Sequence, residues 1–161
     1  MKEKKDSAWL LNKAYFFLKF RLRTEKELKD YLLKKGQANN FSVEDVQKVI
    51  NKLKKQGLIN DQKFIESFVS QRLSFKPKSQ SFLEKELLRL GIEEKIIKDY
   101  FLKNPINDKE TAFKALTNVW HRFKKKPKKE RFKKAISFLL RQGYSYDLAK
   151  SVFEKLNLNN D

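Results

Sequence analysis

Along this chain apolar residues recur at steps of three and four, the spacing that lines one side of an α-helix. The pattern is sharpest ahead of three glycines. The segments LKDYLLKKG, LEKELLRLG and AISFLLRQG end at Gly36, Gly91 and Gly143. In each, two leucines stand four and three residues before the glycine: Leu32 and Leu33, Leu87 and Leu88, Leu139 and Leu140. Eight residues before it stand Leu28, Leu83 and Ala135, so positions four apart stack on one helical face. The spacing predicts three matching helices, each closed by a glycine in the left-handed conformation that satisfies the last carbonyls without a Cβ clash.

Twelve residues before the glycines stand Thr24, Ser79 and Arg131. The first two are good N-caps, and Thr24 with Glu27 forms a capping box. The third instance departs, and its helix is expected to start at Pro127, whose missing amide is harmless in a first turn. An amphipathic segment precedes each of these helices. Its stripe is Leu11, Ala14, Tyr15, Leu18 and Leu22 in the first case, and Phe64, Ile65, Phe68, Val69 and Leu73 in the second. In the third it is Ala112, Phe113, Leu116, Val119, Trp120 and Phe123. Another segment follows each glycine, with stripes on Val43–Leu53, Ile92–Phe101 and Leu148–Leu156. Nine helices are predicted.

The run Gly57-Leu-Ile-Asn-Asp61 stops one periodic segment and starts the next within a few residues. Gly57 is expected to close a helix there, and Asn60 or Asp61 to cap the following one. Asn104-Pro105 marks a second boundary, because a residue before proline is biased away from helix. The fold class is therefore all-α, a tandem array of three three-helix repeats, elongated and curved, at residues 8–57, 58–104 and 105–157. Units this small are expected to pack on their neighbours.

Charge narrows the function. Of 161 residues, 38 are Lys or Arg and 20 Asp or Glu, a formal net charge of +18. Such a balance favours a polyanionic partner, nucleic acid first; a composition that merely keeps the chain in solution is the bland alternative. With no cysteine and one histidine, His121, neither a thiolate metal site nor a histidine cluster is expected, and a reducing cytoplasm is the natural setting. No apolar run approaches the roughly 18 residues of a membrane span. The basic start MKEKK followed by Trp9, Leu10 and Leu11 reads as the lead into a helix rather than a leader peptide. Phosphate loops, HExxH and nucleophile elbows are absent, so no enzyme and no cofactor are expected.

Basic residues gather in three places. The densest is HRFKKKPKKERFKK, His121 to Lys134, with nine basic residues and one acid. There Arg122, Lys124, Lys125, Lys126, Lys128, Lys129, Lys133 and Lys134, with Arg141 beyond, read as a phosphate-contacting surface, a solvated face being the alternative. Arg21, Arg23, Lys26, Lys34 and Lys35 form a second cluster, and Arg72, Lys76 and Lys78 a third. Pairing with Glu25, Glu27 or Asp30 is the competing role of Arg21 and Arg23. The fourteen phenylalanines and Trp120 are assigned to cores, and Trp9 to packing of the first helix.

Three stretches resemble the RecX family of bacterial regulators of the recombinase RecA. They are Arg21-Leu-Arg-Thr-Glu-Lys-Glu-Leu28 with Leu32 and Gly36; Leu53 with Gly57-Leu-Ile-Asn-Asp61 and Phe64; and Glu86-Leu-Leu-Arg-Leu-Gly91-Ile92. Where the family usually has a basic, glycine-containing turn after Arg72, this chain has Lys76-Pro77-Lys78. The resemblance implies a non-enzymatic protein that lodges along the groove of a RecA filament on single-stranded DNA, blocks ATP hydrolysis and strand exchange, and can promote disassembly; an elongated monomer is expected. Autonomous binding of single-stranded or duplex DNA is the alternative function, and an adaptor for an acidic protein a third.

Overall fold

The computed structural model describes residues 6–158, and the basic start at residues 1–5 lies outside them. Nine α-helices follow in order: α1 Ser7–Leu18, α2 Glu25–Gln37, α3 Val43–Lys55, α4 Asp61–Phe75, α5 Gln80–Arg89, α6 Glu94–Lys103, α7 Asp108–Val119, α8 Lys128–Arg141 and α9 Tyr146–Leu158. A 3-10 turn, Trp120–Arg122, follows α7, and no strand occurs among the described residues. The fold is all-α, as the spacing predicts.

The helices group into two compact units. One comprises the chain up to Glu66 together with Leu87–Lys98; the other comprises Ser67–Glu86 and the chain from Asp99 onward. Helices α4, α5 and α6 each contribute a segment to both.

In the first unit, Leu10 and Ala14 of α1, Leu28 and Leu32 of α2, and Val46, Ile50 and Leu53 of α3 are buried together. Each of these large side chains contributes roughly 1.5–3 kcal/mol through removal from water. Stacked Phe17 and Tyr31, with ring centroids 4.1 Å apart, close one side of the core. Trp9 stacks on Phe41, so it serves α1 packing as expected. In the second unit, Ala112, Ala115 and Leu116 of α7 meet Ala135, Ile136 and Leu139 of α8 and Val152, Phe153 and Leu156 of α9. The alanines make room for Trp120 and Phe153, whose rings lie 5.9 Å apart. Size complementarity of this kind fills an interior to native density.

The helix ends refine several expectations. Leu32, Leu87 and Leu139 are fully buried, but Leu88 and Leu140 are exposed and Leu33 only half-buried: the face admits one leucine of each pair. Gly91 and Gly143 adopt positive φ, as does Gly57, whereas Gly36 does not. Helix α2 runs through Gly36, which sits where a Cβ would come 3.2 Å from Phe41 Cβ; Asn40 takes the left-handed position instead. Asn tolerates that conformation because its short polar side chain bonds locally. The stripe ending at Phe123 breaks at Val119 into the 3-10 turn, and α1 stops at Leu18, leaving Leu22 exposed. Helix α8 begins at Lys128, with Pro127 extended at the N-cap and no side-chain cap. Three phenylalanines assigned to cores, Phe16, Phe20 and Phe75, are exposed. All three lie in or just beyond the last turn of a helix, where a periodic stripe outruns the element that would bury it.

One joint occurs twice. Thr24 and Ser79 are both fully buried N-caps, accepting from the amides of Glu27 and Phe82. The next amide in each case is capped from a distant helix: Glu25 N donates to Asp61 Oδ1 at 2.9 Å, and Gln80 N to Asp108 Oδ1 at 2.9 Å. Asn60, not Asp61, caps α4 itself, accepting from Lys63 N. Burial outweighs the donated hydrogen bond at both aspartates and holds their carboxyls above the ordinary value. Against each joint comes the left-handed glycine of a later helix end. Leu90 O accepts from Thr24 Oγ1 with Gly91 on Lys26, and Gln142 O accepts from Ser79 N with Gly143 on Phe82.

Candidate nucleic-acid interface

The basic residues singled out above fall into two physical classes. Arg21 makes a forked hydrogen bond to the Glu27 carboxylate, and Arg23 lies 3.7 Å from the same group while its guanidinium covers the Phe17 ring at 4.1 Å. Burial works against the Glu27 charge, but Arg21 and the Thr24 amide outweigh it and hold the carboxyl below its usual value. The competing pairing role of Arg21 and Arg23 is thus realised on one acid. Lys26 pairs with Asp30 at 2.8 Å. Lys35 lies over Tyr31, and Lys34 is exposed.

Arg72 and Lys78 converge on one oxygen of Glu86, at 3.2 and 3.8 Å. Each cation also covers a ring, Arg72 that of Phe68 and Lys78 that of Phe82, so both point into the fold. Burial lowers the Lys78 pKa against the pull of Glu86. Replacing Glu86 by Gln leaves two half-buried cations facing each other. We expect a loss of about 2 kcal/mol, less than for a fully buried pair because all three side chains keep some solvent access. Urea unfolding followed by circular dichroism measures it; a change within about 0.5 kcal/mol would remove Glu86 as the anchor.

The third cluster differs. Its single acid, Glu130, is held by Lys126 at 3.1 Å and Lys134 at 3.7 Å. Arg131 turns toward α9 and donates to Asn157 Oδ1. Arg122, Lys124, Lys125, Lys128, Lys129, Lys133 and Arg141 are exposed and make no ion pair among the described residues. The reason is local. Ile136 and Leu139 face the core, so Lys133 and Arg141 face away; Lys129 is exposed in the first turn of α8, and Pro127 interrupts the backbone and leaves Lys124–Lys125 on a loop. Lys133 and Arg141 border a groove of about 510 Å³ over Phe123 and Ser137.

Tertiary structure also joins residues that the sequence separates. Lys76, after α4, and Arg122, in the 3-10 turn, line one groove of about 420 Å³ with Phe75, Asn118, Phe138 and Gln142. Phe75 was not legible as a site residue. Its one signal is its place in the last turn before Pro77. His121 is exposed, and no cluster of three or more His, Cys, Asp or Glu placed to hold a metal occurs among the described residues. None of the described helices is long and apolar enough to cross a membrane.

These features define an all-helical protein built from successive helix triplets, with a dense run of exposed cations on α8 and in the stretch before it that make no ion pair among the described residues. Comparison with known proteins gives the family. Models of the first, second and third three-helix domains of RecX match residues 11–53, 60–100 and 107–153 in that order. The chain is 33% identical over 151 residues to the regulatory protein RecX of Streptococcus uberis, covering 93% of this chain and 56% of that protein. It is 33% identical over 141 residues to that of Clostridium perfringens, covering 85% and 63%. The crystal structure of RecX from Lactobacillus salivarius superposes with a TM-score of 0.72 at 25% identity, covering 94% of this chain and 97% of that one. The chain spans just over half the length of the Streptococcus relative. It belongs to the RecX family of regulatory proteins.

Proposed function

We propose that this chain binds a RecA filament on single-stranded DNA and modulates it, chiefly by inhibiting ATP hydrolysis, strand exchange and recombination. The observation that carries the reading is the set of seven unopposed cations between Arg122 and Arg141 in a member of a regulatory family. A nucleoprotein filament offers a long anionic surface, and cations without internal partners reach it at no cost in broken pairs. Lys34, Lys35 and Lys76 add to this set; Arg21, Arg23, Lys26, Arg72 and Lys78 reach a partner only by giving up present pairings. Within this reading the chain works in the cytoplasm as a single copy, with its repeats bounded at 8–57, 58–104 and 105–157.

The purified protein is expected to suppress the DNA-dependent ATPase of the cognate RecA at stoichiometric amounts or below. Full ATPase activity together with no binding to preformed filaments would reject the proposal. A second reading, autonomous DNA binding, draws on the same cations. If about five phosphates of a single strand are contacted, affinity falls with a logarithmic salt slope of roughly −3.5, and a near-flat slope rejects it.

A further inference from the structure

We propose that the groove between the end of α4 and the turn after α7 receives one unstacked base of single-stranded DNA. The proposal rests on the DNA-binding reading above and assigns it a place. Phe75 is 76% exposed and stands at the groove wall, a position that leaves most of a large apolar side chain in water. Phe138 and Val119 supply an apolar floor. Asn118 and Gln142 line the same space, and their side-chain amides, which offer a donor and an acceptor each, make no hydrogen bond among the described residues. Lys76 and Arg122 stand beside them without an ion pair, and no acid lines the groove.

An aromatic face, amide groups and two cations suit a base with its phosphates: the ring stacks, the amides meet the base edge, and the cations take the backbone. An acidic peptide shares the charge but not the rest. What favours DNA is continuity, because Arg122 opens the basic run through Lys124, Lys125, Lys128 and Lys129. A strand whose phosphates follow that run brings a nucleotide to the groove at its start. The volume of about 420 Å³ holds one base with room for its sugar.

The test uses the full chain, without RecA, and a fluorescent oligo(dT) and its duplex form. Phe75→Ala is expected to weaken single-strand binding roughly 5- to 100-fold, the range of one lost base–aromatic stack, and to leave the salt slope unchanged. Phe75→Trp should retain affinity and show quenched indole fluorescence on binding. Lys76→Gln with Arg122→Gln should flatten the slope by about 1.4, at roughly 0.7 per contact. Duplex binding should not respond to Phe75→Ala. Unchanged single-strand affinity in Phe75→Ala overturns the proposal, as does an equal loss on duplex or the absence of single-strand binding by the parent protein. Parent binding with an indifferent Phe75 sinks the groove alone, whereas failure of RecA inhibition sinks the regulatory reading alone. An acidic peptide that competes with neither DNA form but depends on Phe75 would assign the groove to a protein instead.

Discussion

Replacing Gly143 by alanine is expected to cost about 3 kcal/mol. Two effects add. The residue has φ +91°, which an L side chain rarely adopts. A Cβ there also falls 2.4 Å from Ser79 Oγ and 2.7 Å from Phe82 Cβ. Neither neighbour is free to yield. Ser79 is fully buried, donates its amide to Gln142 O at 3.1 Å and caps α5 through Phe82 N, so moving it undoes the joint. Gly57 supplies the control: its φ is +70°, but a Cβ meets nothing within 4 Å. Gly57→Ala should therefore lose only the backbone cost, about 1 kcal/mol. Urea unfolding of both variants, followed by helical circular dichroism, gives the difference. Equal losses would show that Gly143 is a helix stop and nothing more.

Neutralising Lys129, Lys133 and Arg141 together to glutamine should weaken single-strand binding roughly 100-fold at 0.1 M salt, from counterion release of about 0.7 per phosphate over three contacts. The salt slope should flatten by roughly 2. Stability should hardly move, because these side chains are exposed and pair with no acid among the described residues. The matching triple change of Arg21, Arg23 and Arg72 should behave in the opposite sense. Those guanidiniums hold Glu27 and Glu86 and cover Phe17 and Phe68, so stability falls while the salt slope stays close to the parent value. Salt titrations of oligonucleotide binding, paired with unfolding curves, separate the two sets. Equal slopes in both triples would erase the distinction between paired and unopposed cations.

That distinction marks the limit of what composition conveys. All three basic clusters look alike as strings of Lys and Arg, and one acid decides each case. Glu27 stands within the first cluster's own helix, so its pairing with Arg21 was open to sequence reading. Glu86 lies fourteen residues from Arg72, and only the turn through Pro77 brings them together. In the third cluster Glu130 is outnumbered within one helix turn, and the excess charge has nowhere to go but solvent.

Sequence by itself determined the nine helices, much of the buried face of each and the capping of α2 at Thr24, because these depend on neighbours three or four residues away; it missed the buried Leu10 and placed the exposed Tyr15, Leu22 and Val43 on buried stripes. It also determined that Gly57, Gly91 and Gly143 end helices. It misread Gly36, since the choice between a left-handed stop and a continued helix there turns on the close approach of Phe41. Only the tertiary structure decided that Asp61 and Asp108 cap helices other than their own, and that Lys76 and Arg122 border one groove with Phe75. Local periodicity fixes which side of a helix is apolar; which distant backbone amide or side chain meets it depends on packing, and packing sums contacts that no short window of sequence contains.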